Sequence, residues 1–405
     1  MDANEALTET RRSFRESFLT QGGCIPDTTL KRGSQISQAV QKHLRYWRNP
    51  MTYADSFPSF PFADSREAAS SRPRLSVKIR GKAITTTPVF AAYWYFAAER
   101  QRIFFRRLQG SLTQTTSDPV LSVYKFTNAY RASDRVSQYL IRSVIYRDDL
   151  PNDTTNVFFR TLLFKLFNKI ETWEMLERTV GPIVWETFSY ERYNRVLAQC
   201  MKAGKRIYSA AYIMPSAGSF FGHTAKHQNH LKMLTYLVKE EFPARYVATE
   251  KMADAFALLR SIPSVGPFLA YQYAIDLNYS RLTSFSEDDF VVAGPGALDG
   301  IHKCFVGVDG ISAEDIIRYM WETQQEHFAA YGIDFKSLWG RPLQLIDCQN
   351  LFCEISKYAR VAFPEYSGVA GRTRIKQKFQ PGKTAPAPWY PPKWDLNARI
   401  PDCLF

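Results

Sequence analysis

Apolar residues return every three or four positions through most of this chain, and that spacing predicts one helix after another. The predicted helices run from Tyr93 to Arg107, Val120 to Tyr146, Thr155 to Glu177, Tyr190 to Ala203 and Gln228 to Phe242. Further helices are predicted over Met252 to Arg260, Pro267 to Leu277, Ala313 to Tyr331 and Leu343 to Ala362. Alternation with a period of two is scarce, so no sheet is expected. The pattern predicts an all-α fold whose helical part spans residues 86–365. Residues 1–85, rich in Ser, Pro and Arg, read as a mostly irregular basic extension with a short helix or two. Residues 366–405 read as a Pro-rich basic tail.

Between two predicted helices lies Leu258-Leu259-Arg260-Ser261-Ile262-Pro263-Ser264-Val265-Gly266-Pro267-Phe268-Leu269-Ala270. Pro263 and Gly266 make a tight corner there, and the apolar Ile262 and Val265 point inward to pin it. The first N–H groups of the second helix lack partners in the chain and lie at the positive end of its dipole. They suit a phosphate oxygen. This is the pattern of a helix-hairpin-helix, which grips a DNA backbone without reading its sequence. Ser264 and Gly266 would then meet the backbone. An ordinary corner inside a helical core carries the same pattern.

Composition sharpens this picture. Of 405 residues, 45% are hydrophobic and 22% charged, as in a globular protein with a large core. No run of eighteen apolar residues suggests a membrane span, and the N-terminus has no apolar leader. The six cysteines are scattered, which suits reduced thiols in an intracellular setting. That setting is the nucleus in a eukaryote and the cytoplasm in a prokaryote or a phage-infected cell. The net charge is +13. Residues 1–100 hold 15 Lys and Arg against 9 Asp and Glu, and residues 368–405 hold 7 against 2, while the middle is nearly balanced. A basic excess in the flanks suits arms that embrace a polyanion.

Several constellations could carry chemistry. After the corner, an apolar segment leads to Gly294-Pro295-Gly296 and then Asp299. In helix-hairpin-helix DNA glycosylases a carboxylate follows the hairpin by some twenty to thirty residues, sits at a helix start and faces the sugar of a flipped nucleotide. Asp299 or Asp289 could serve so, and Asp299 could equally cap a helix over 300–305. The glycine turn could approach a phosphate or be purely structural. His223, His227 and His230 have zinc-like helical spacing but no fourth ligand in register, so no metal is expected. The cysteines match no iron–sulfur run. Gly382-Lys383-Thr384 lacks the first glycine and the strand of a phosphate-binding loop. No cofactor is expected. Arg131, Asp134 and Arg135 crowd polar groups into an apolar segment, as do Asn168, Lys169, Thr172 and Trp173. Each set reads either as an internal salt-bridge network or as a pocket for a base.

Longer matches connect these pieces. They run through Phe126-Thr127-Asn128-Ala129-Tyr130-Arg131-Ala132-Ser133-Asp134-Arg135, Phe158-Phe159-Arg160 and Phe167-Asn168-Lys169-Ile170-Glu171-Thr172-Trp173. They continue through Gly266-Pro267-Phe268-Leu269-Ala270-Tyr271-Gln272, Asp276-Leu277-Asn278-Tyr279, Gly294-Pro295-Gly296 and Lys303-Cys304-Phe305. They end with Gln349-Asn350-Leu351-Phe352-Cys353-Glu354, Lys357-Tyr358-Ala359-Arg360 and Arg372-Thr373-Arg374-Ile375-Lys376-Gln377. Over about residues 90–380 the chain resembles the helical domain associated with 5-hydroxymethyluracil DNA kinases. Such domains are also called α-glutamyl/putrescinyl-thymine pyrophosphorylases, or amino acid:DNA transferases.

The resemblance implies a glycosylase-like helical fold and a place in thymine hypermodification. A separate P-loop kinase phosphorylates the hydroxymethyl group of the base in DNA, and an amine or amino acid then displaces it. Such a displacement needs an extruded base, cations for the leaving phosphates and a proton acceptor. Arg131, Arg135, Arg160 and Lys303 are candidate cations, with Arg372, Arg374 and Lys376 on the tail. Asp134, Asp299 and Glu354 are candidate bases. Tyr130, Trp173 and Tyr358 could stack on the nucleobase. Three functions compete: a transferase on activated hydroxymethyluracil, a glycosylase for a modified base, and a non-catalytic DNA-binding partner of the kinase.

Overall fold

The computed structural model describes residues 65–110, 116–210, 214–380 and 387–401. Most of the expected N-terminal extension, Gly382-Lys383-Thr384, Cys24 and Cys403 lie outside the described residues. Helix α1 (Ser65–Ser70) precedes a hairpin of β1 (Ser76–Ile79) and β2 (Lys82–Thr86). At its turn Arg80 and Gly81 have φ of 51° and 80°, which matches the twist of the flanking strands. A two-residue β3 (Phe305–Val306) adds antiparallel to β2. The chain therefore holds a small sheet that the periodicity did not predict, and it is ordered before residue 85. Strands of four, five and two residues are too short to give an alternation signal.

Helix α2 (Pro88–Leu108) starts where the Thr87 hydroxyl accepts from the Val89 N–H and Pro88 fills the first turn. It is buried nearly all round, which makes it the centre of a core rather than a surface helix. The predicted helix over 120–146 is broken. It becomes α3 (Pro119–Val123), an extended stretch, a 3₁₀ turn (Arg131–Ser133) and α4 (Arg135–Leu140), which runs into a π-turn (Ile141–Ile145). The reason is side-chain competition for the backbone. Arg100 Nε donates to the Thr127 carbonyl at 2.8 Å, Glu354 accepts from the Thr127 N–H at 3.0 Å, and Asp134 accepts from the Asn128 N–H at 2.8 Å.

The helix predicted over 155–177 divides at Asn168, which takes φ 48°, into α5 (Thr154–Phe167) and α6 (Ile170–Val180). Then follow α7 (Tyr190–Lys202), α8 (Gly218–Phe221), α9 (Lys226–Lys239) and α10 (Phe242–Val247). After these come α11 (Met252–Arg260), α12 (Pro267–Asn278), α13 (Pro295–Cys304), α14 (Ala313–Glu322), α15 (Gln324–Ala330) and α16 (Leu345–Ala362). The fold is mostly helical. No helix of the described residues is long and apolar enough to cross a membrane.

One packed group gathers α2, α13, α14 and α16, and another gathers α9, α10 and α12 around α5. The closest seam is α13 against α16. A Cβ on Gly300 would stand 2.1 Å from the Phe352 carbonyl oxygen, and one on Gly296 would stand 3.0 Å from Cys353 Sγ. The two groups meet at the 3₁₀ turn. There Arg131 Nη1 lies 2.8 Å from Asp276 Oδ1, and Lys165 Nζ lies 3.0 Å from Asp276 Oδ2. All three side chains are buried. Burial alone would push the Asp276 carboxyl up, but Arg131 and Lys165 outweigh it and hold the group ionised. Removing one member of such a set leaves an uncompensated charge in the core.

Candidate nucleic-acid interface

The corner between α11 and α12 faces solvent. Ile262 and Val265 are buried beneath it, and the Val265 N–H bonds the Ile262 carbonyl at 3.0 Å. Ser264 is exposed with φ 65°, a conformation a serine adopts only when its surroundings hold it there. Gly266 ends the turn with φ −76° and ψ 169°, caps α12 without a side chain, and precedes Pro267. A Cβ on Gly266 would meet nothing within 4 Å. The N-terminal end of α12 is thus presented to whatever docks there.

Gly294-Pro295 opens α13 with almost the same angles, −79° and 165°. Its environment is the opposite. A Cβ on Gly294 would stand 2.8 Å from the Phe268 ring. The Gly-Pro-Gly turn is therefore a packing device, not a free phosphate cradle. It also moves Asp299 to the middle of α13, away from a helix start. Asp299 neither caps a helix nor faces solvent. It accepts from the Ser356 hydroxyl and, at 2.8 Å, from the Ala370 N–H, and Lys303 Nζ lies 3.3 Å away. Burial pushes this carboxyl up, and those partners more than reverse the effect, holding it below the usual range. Gly368 closes over it, with room for no Cβ. The other carboxylate, Asp289, is exposed, and its carbonyl accepts from Arg318 at 2.7 Å.

From the Gly294 turn, the outer face of α16 leads past Cys353 to Lys357 and Arg360. The chain after α16 folds back along this face. The Ala370 N–H bonds Asp299, Arg360 donates to the Arg374 carbonyl at 3.2 Å, and the Lys125 N–H donates to the Gln377 carbonyl at 3.0 Å. The strap leaves Arg372, Arg374, Lys376 and Lys378 exposed beside Lys125, with Lys357 and Arg360 half-buried. These seven cations lie along α16 and the strap that folds back on it.

Two of the predicted acids meet beside these cations. Asp134 and Glu354 flank the 126–128 stretch, each accepting from its backbone. Arg100 also donates to the Asn128 side chain at 3.2 Å, and Lys357 Nζ lies 2.6 Å from Glu354. Burial pushes Asp134 up to about 7, and the nearby Glu354 charge adds to that against the pull of the Asn128 N–H. A carboxylate that titrates near neutrality is suited to accept a proton. Burial lowers Arg100 to about 10, still charged at neutral pH. Arg135, next in sequence to Asp134, is exposed.

Other expected contacts are interior. Arg131 belongs to the Asp276 network. Arg160, wholly buried, spends its guanidinium on the carbonyls of Val144, Ile145 and Pro151 and on Asn152. Lys303 is committed to Asp299 and to the Ser356 carbonyl at 2.9 Å. Tyr130, Trp173 and Tyr358 are core residues with no open ring face, and Tyr358 donates to Asp118 at 2.8 Å. His227 pairs with Asn194, and His230 with Tyr208 and the Pro215 carbonyl. Cations inside apolar helices misled the reading, because such residues more often face water. Arg100, Lys125, Lys357, Arg360 and Lys378 were missed. Arg100 did leave a signal: Glu99-Arg100-Gln101-Arg102 interrupts an otherwise apolar helix.

Comparison with known proteins agrees with this architecture. Residues 87–368 match the family model described as "5-hmdU DNA kinase, helical domain". The chain is 27% identical over 351 residues to the "5-hmdU DNA kinase" of Bacillus phage SP10, covering 82% of this chain and 52% of that protein. It thus spans about half the length of that curated relative. No solved structure matches. The helical architecture and the match over 87–368 together place the chain in the family of helical domains of 5-hmdU DNA kinases.

Proposed function

We propose that this protein binds DNA and acts on a base derived from 5-hydroxymethyluracil. The observation that carries the reading is the exposed corner at Ser264 and Gly266, in a chain that also exposes a row of cations on α16 and its strap. Backbone N–H groups at a helix start and a row of Lys and Arg suit successive phosphates and are indifferent to sequence. The relative's name supplies the base, which it calls 5-hmdU.

The chemistry we favour is displacement of an activated hydroxymethyl group by an amine or amino acid. A C–N bond forms at the exocyclic carbon, the C–O bond to the phosphate or pyrophosphate breaks, and the amine gives up a proton. Asp134, with Glu354 beside it, would accept that proton, while Lys357 and Arg135 would neutralise the departing phosphate. A separate P-loop kinase would supply the activated base. The glycosylase alternative is left with the exposed Asp289, since Asp299 lies in the middle of α13 and is sealed. The non-catalytic alternative keeps the corner and the row of cations but gives Asp134 no task.

Mass spectrometry of nucleosides tests all three. Hydroxymethyluracil DNA, with and without kinase treatment, is incubated with the full chain and an amine. A gain of mass on the base of kinase-treated DNA supports transfer. Abasic sites would point to a glycosylase, and unaltered nucleosides from tightly bound DNA to a binding partner.

A further inference from the structure

A cavity lies at the opposite end of α12 from the corner. Helix α12 has 12 residues, so the two are about 18 Å apart along its axis. The cavity encloses about 310 Å³. One wall is the irregular stretch between the π-turn and α5, including Tyr146, Asp148, Asn152 and Thr154. A second wall carries Arg281 and Leu282, just past α12. Val157 and Val247 add apolar surface.

Irregular walls need support to hold a shape, and here each has it. Arg160 binds the first wall from behind, with Nε 3.0 Å from the Val144 carbonyl and Nη2 2.9 Å from Asn152 Oδ1. The second wall is held by Lys393 of the C-terminal segment. Its ammonium donates to the carbonyls of Asn278, Ser280 at 3.1 Å and Thr283 at 2.7 Å. Trp389 packs edge-on against Tyr146 at 5.0 Å. A cation thus fixes each wall through backbone carbonyls, the kind of second layer that preorganises a binding site.

The charges inside the cavity are not equivalent. Asp153 caps α5, its two oxygens accepting from the Asn156 N–H at 3.0 Å and from the Asn156 side chain at 2.7 Å. Asp149, outside the lining, is taken by Arg147. Asp148 makes no ion pair among the described residues. Arg281, also in the lining, rests over the Tyr146 ring at 5.4 Å and makes no ion pair among the described residues. One wall therefore offers a carboxylate and the other a guanidinium, with apolar surface between.

We propose that this cavity is a small-molecule site for a compact zwitterion, its ammonium on Asp148 and its carboxylate on Arg281. A nucleic-acid backbone is disfavoured there by Asp148 and Asp153. Use of the site by the amine donor rests on the transfer reading above, whereas the binding claim stands on the cavity alone.

The test measures binding of three probes of equal chain length to the full chain by calorimetry. They are γ-aminobutyrate (zwitterion), n-butylamine (cation) and butyrate (anion). Saturable binding of γ-aminobutyrate is expected, with each half-charged probe about tenfold weaker or worse, the value of one charged hydrogen bond. Asp148→Asn should abolish the advantage over butyrate, and Arg281→Met the advantage over butylamine. Both side chains are exposed, so both variants should fold. No saturable binding, equal binding of the three probes, or indifference to both substitutions would overturn the site. If the zwitterion obeys both variants while kinase-treated DNA stays unmodified, the cavity stands and only the transfer reading falls.

Discussion

Two helices of this protein, α12 and α13, begin with Gly-Pro, and their N-caps share nearly the same backbone angles. Neither has a capping side chain. Yet Gly266 looks onto open space, while Gly294 is pressed against the Phe268 ring of the other helix. Identical local chemistry has been put to two uses: one helix start is offered outward and the other closes a seam. A dipeptide fixes how a helix begins, and only its surroundings decide whether that beginning can meet a ligand.

Substitutions can break this contrast. The largest effect should come from Gly300→Ala, on the other side of α13, where it meets α16. The new Cβ would stand 2.1 Å from a backbone oxygen of α16, so the two helices must part. A loss of about 3 kcal/mol or more is expected in denaturant unfolding. Gly294→Ala should follow with roughly 1–3 kcal/mol, since the Phe268 ring can shift a little. A neutral outcome for Gly294→Ala would dissolve the distinction between the two turns. Gly266→Trp should leave stability within about 0.5 kcal/mol of the parent. It should weaken DNA binding about tenfold (~1.4 kcal/mol), whatever the sequence. Undiminished affinity in that folded variant would leave the corner without its role.

A smaller, pH-dependent effect sharpens the acid cluster. The folded pKa of Asp134, about 7, lies above its ordinary value. Between roughly pH 4 and 7 the folded state therefore holds a proton that the unfolded state has lost, so stability declines as pH rises through that window. Asp134→Asn keeps the acceptor for the Asn128 N–H and removes the titration. It should flatten this decline and gain on the order of 1 kcal/mol at pH 8, by thermal unfolding, while abolishing any transfer. A variant with unaltered activity would remove Asp134 from the chemistry.

Much of the helical framework was legible because its signal is long-range and periodic. The helices 252–260 and 267–278 lie almost where the spacing put them. The breaks were not legible. Residues 124–134 contain neither Gly nor Pro and leave the helix because Arg100, Glu354 and Asp134, two of them distant in sequence, claim their backbone groups. Candidate residues divided in the same way. Gly266, Ser264 and the tail cations are surface features that local pattern reveals. Arg131, Arg160 and Trp173, expected at an open site, are buried in space, because burial depends on the whole packing.

The C-terminal segment has a practical consequence. Trp389 packs on Tyr146, which lines the cavity beyond the C-terminal end of α12. Indole emission depends on nearby charge and polarity. Trp389 therefore gives the protein a built-in optical readout of that cavity, and the change on filling can be followed by fluorescence with no dye attached.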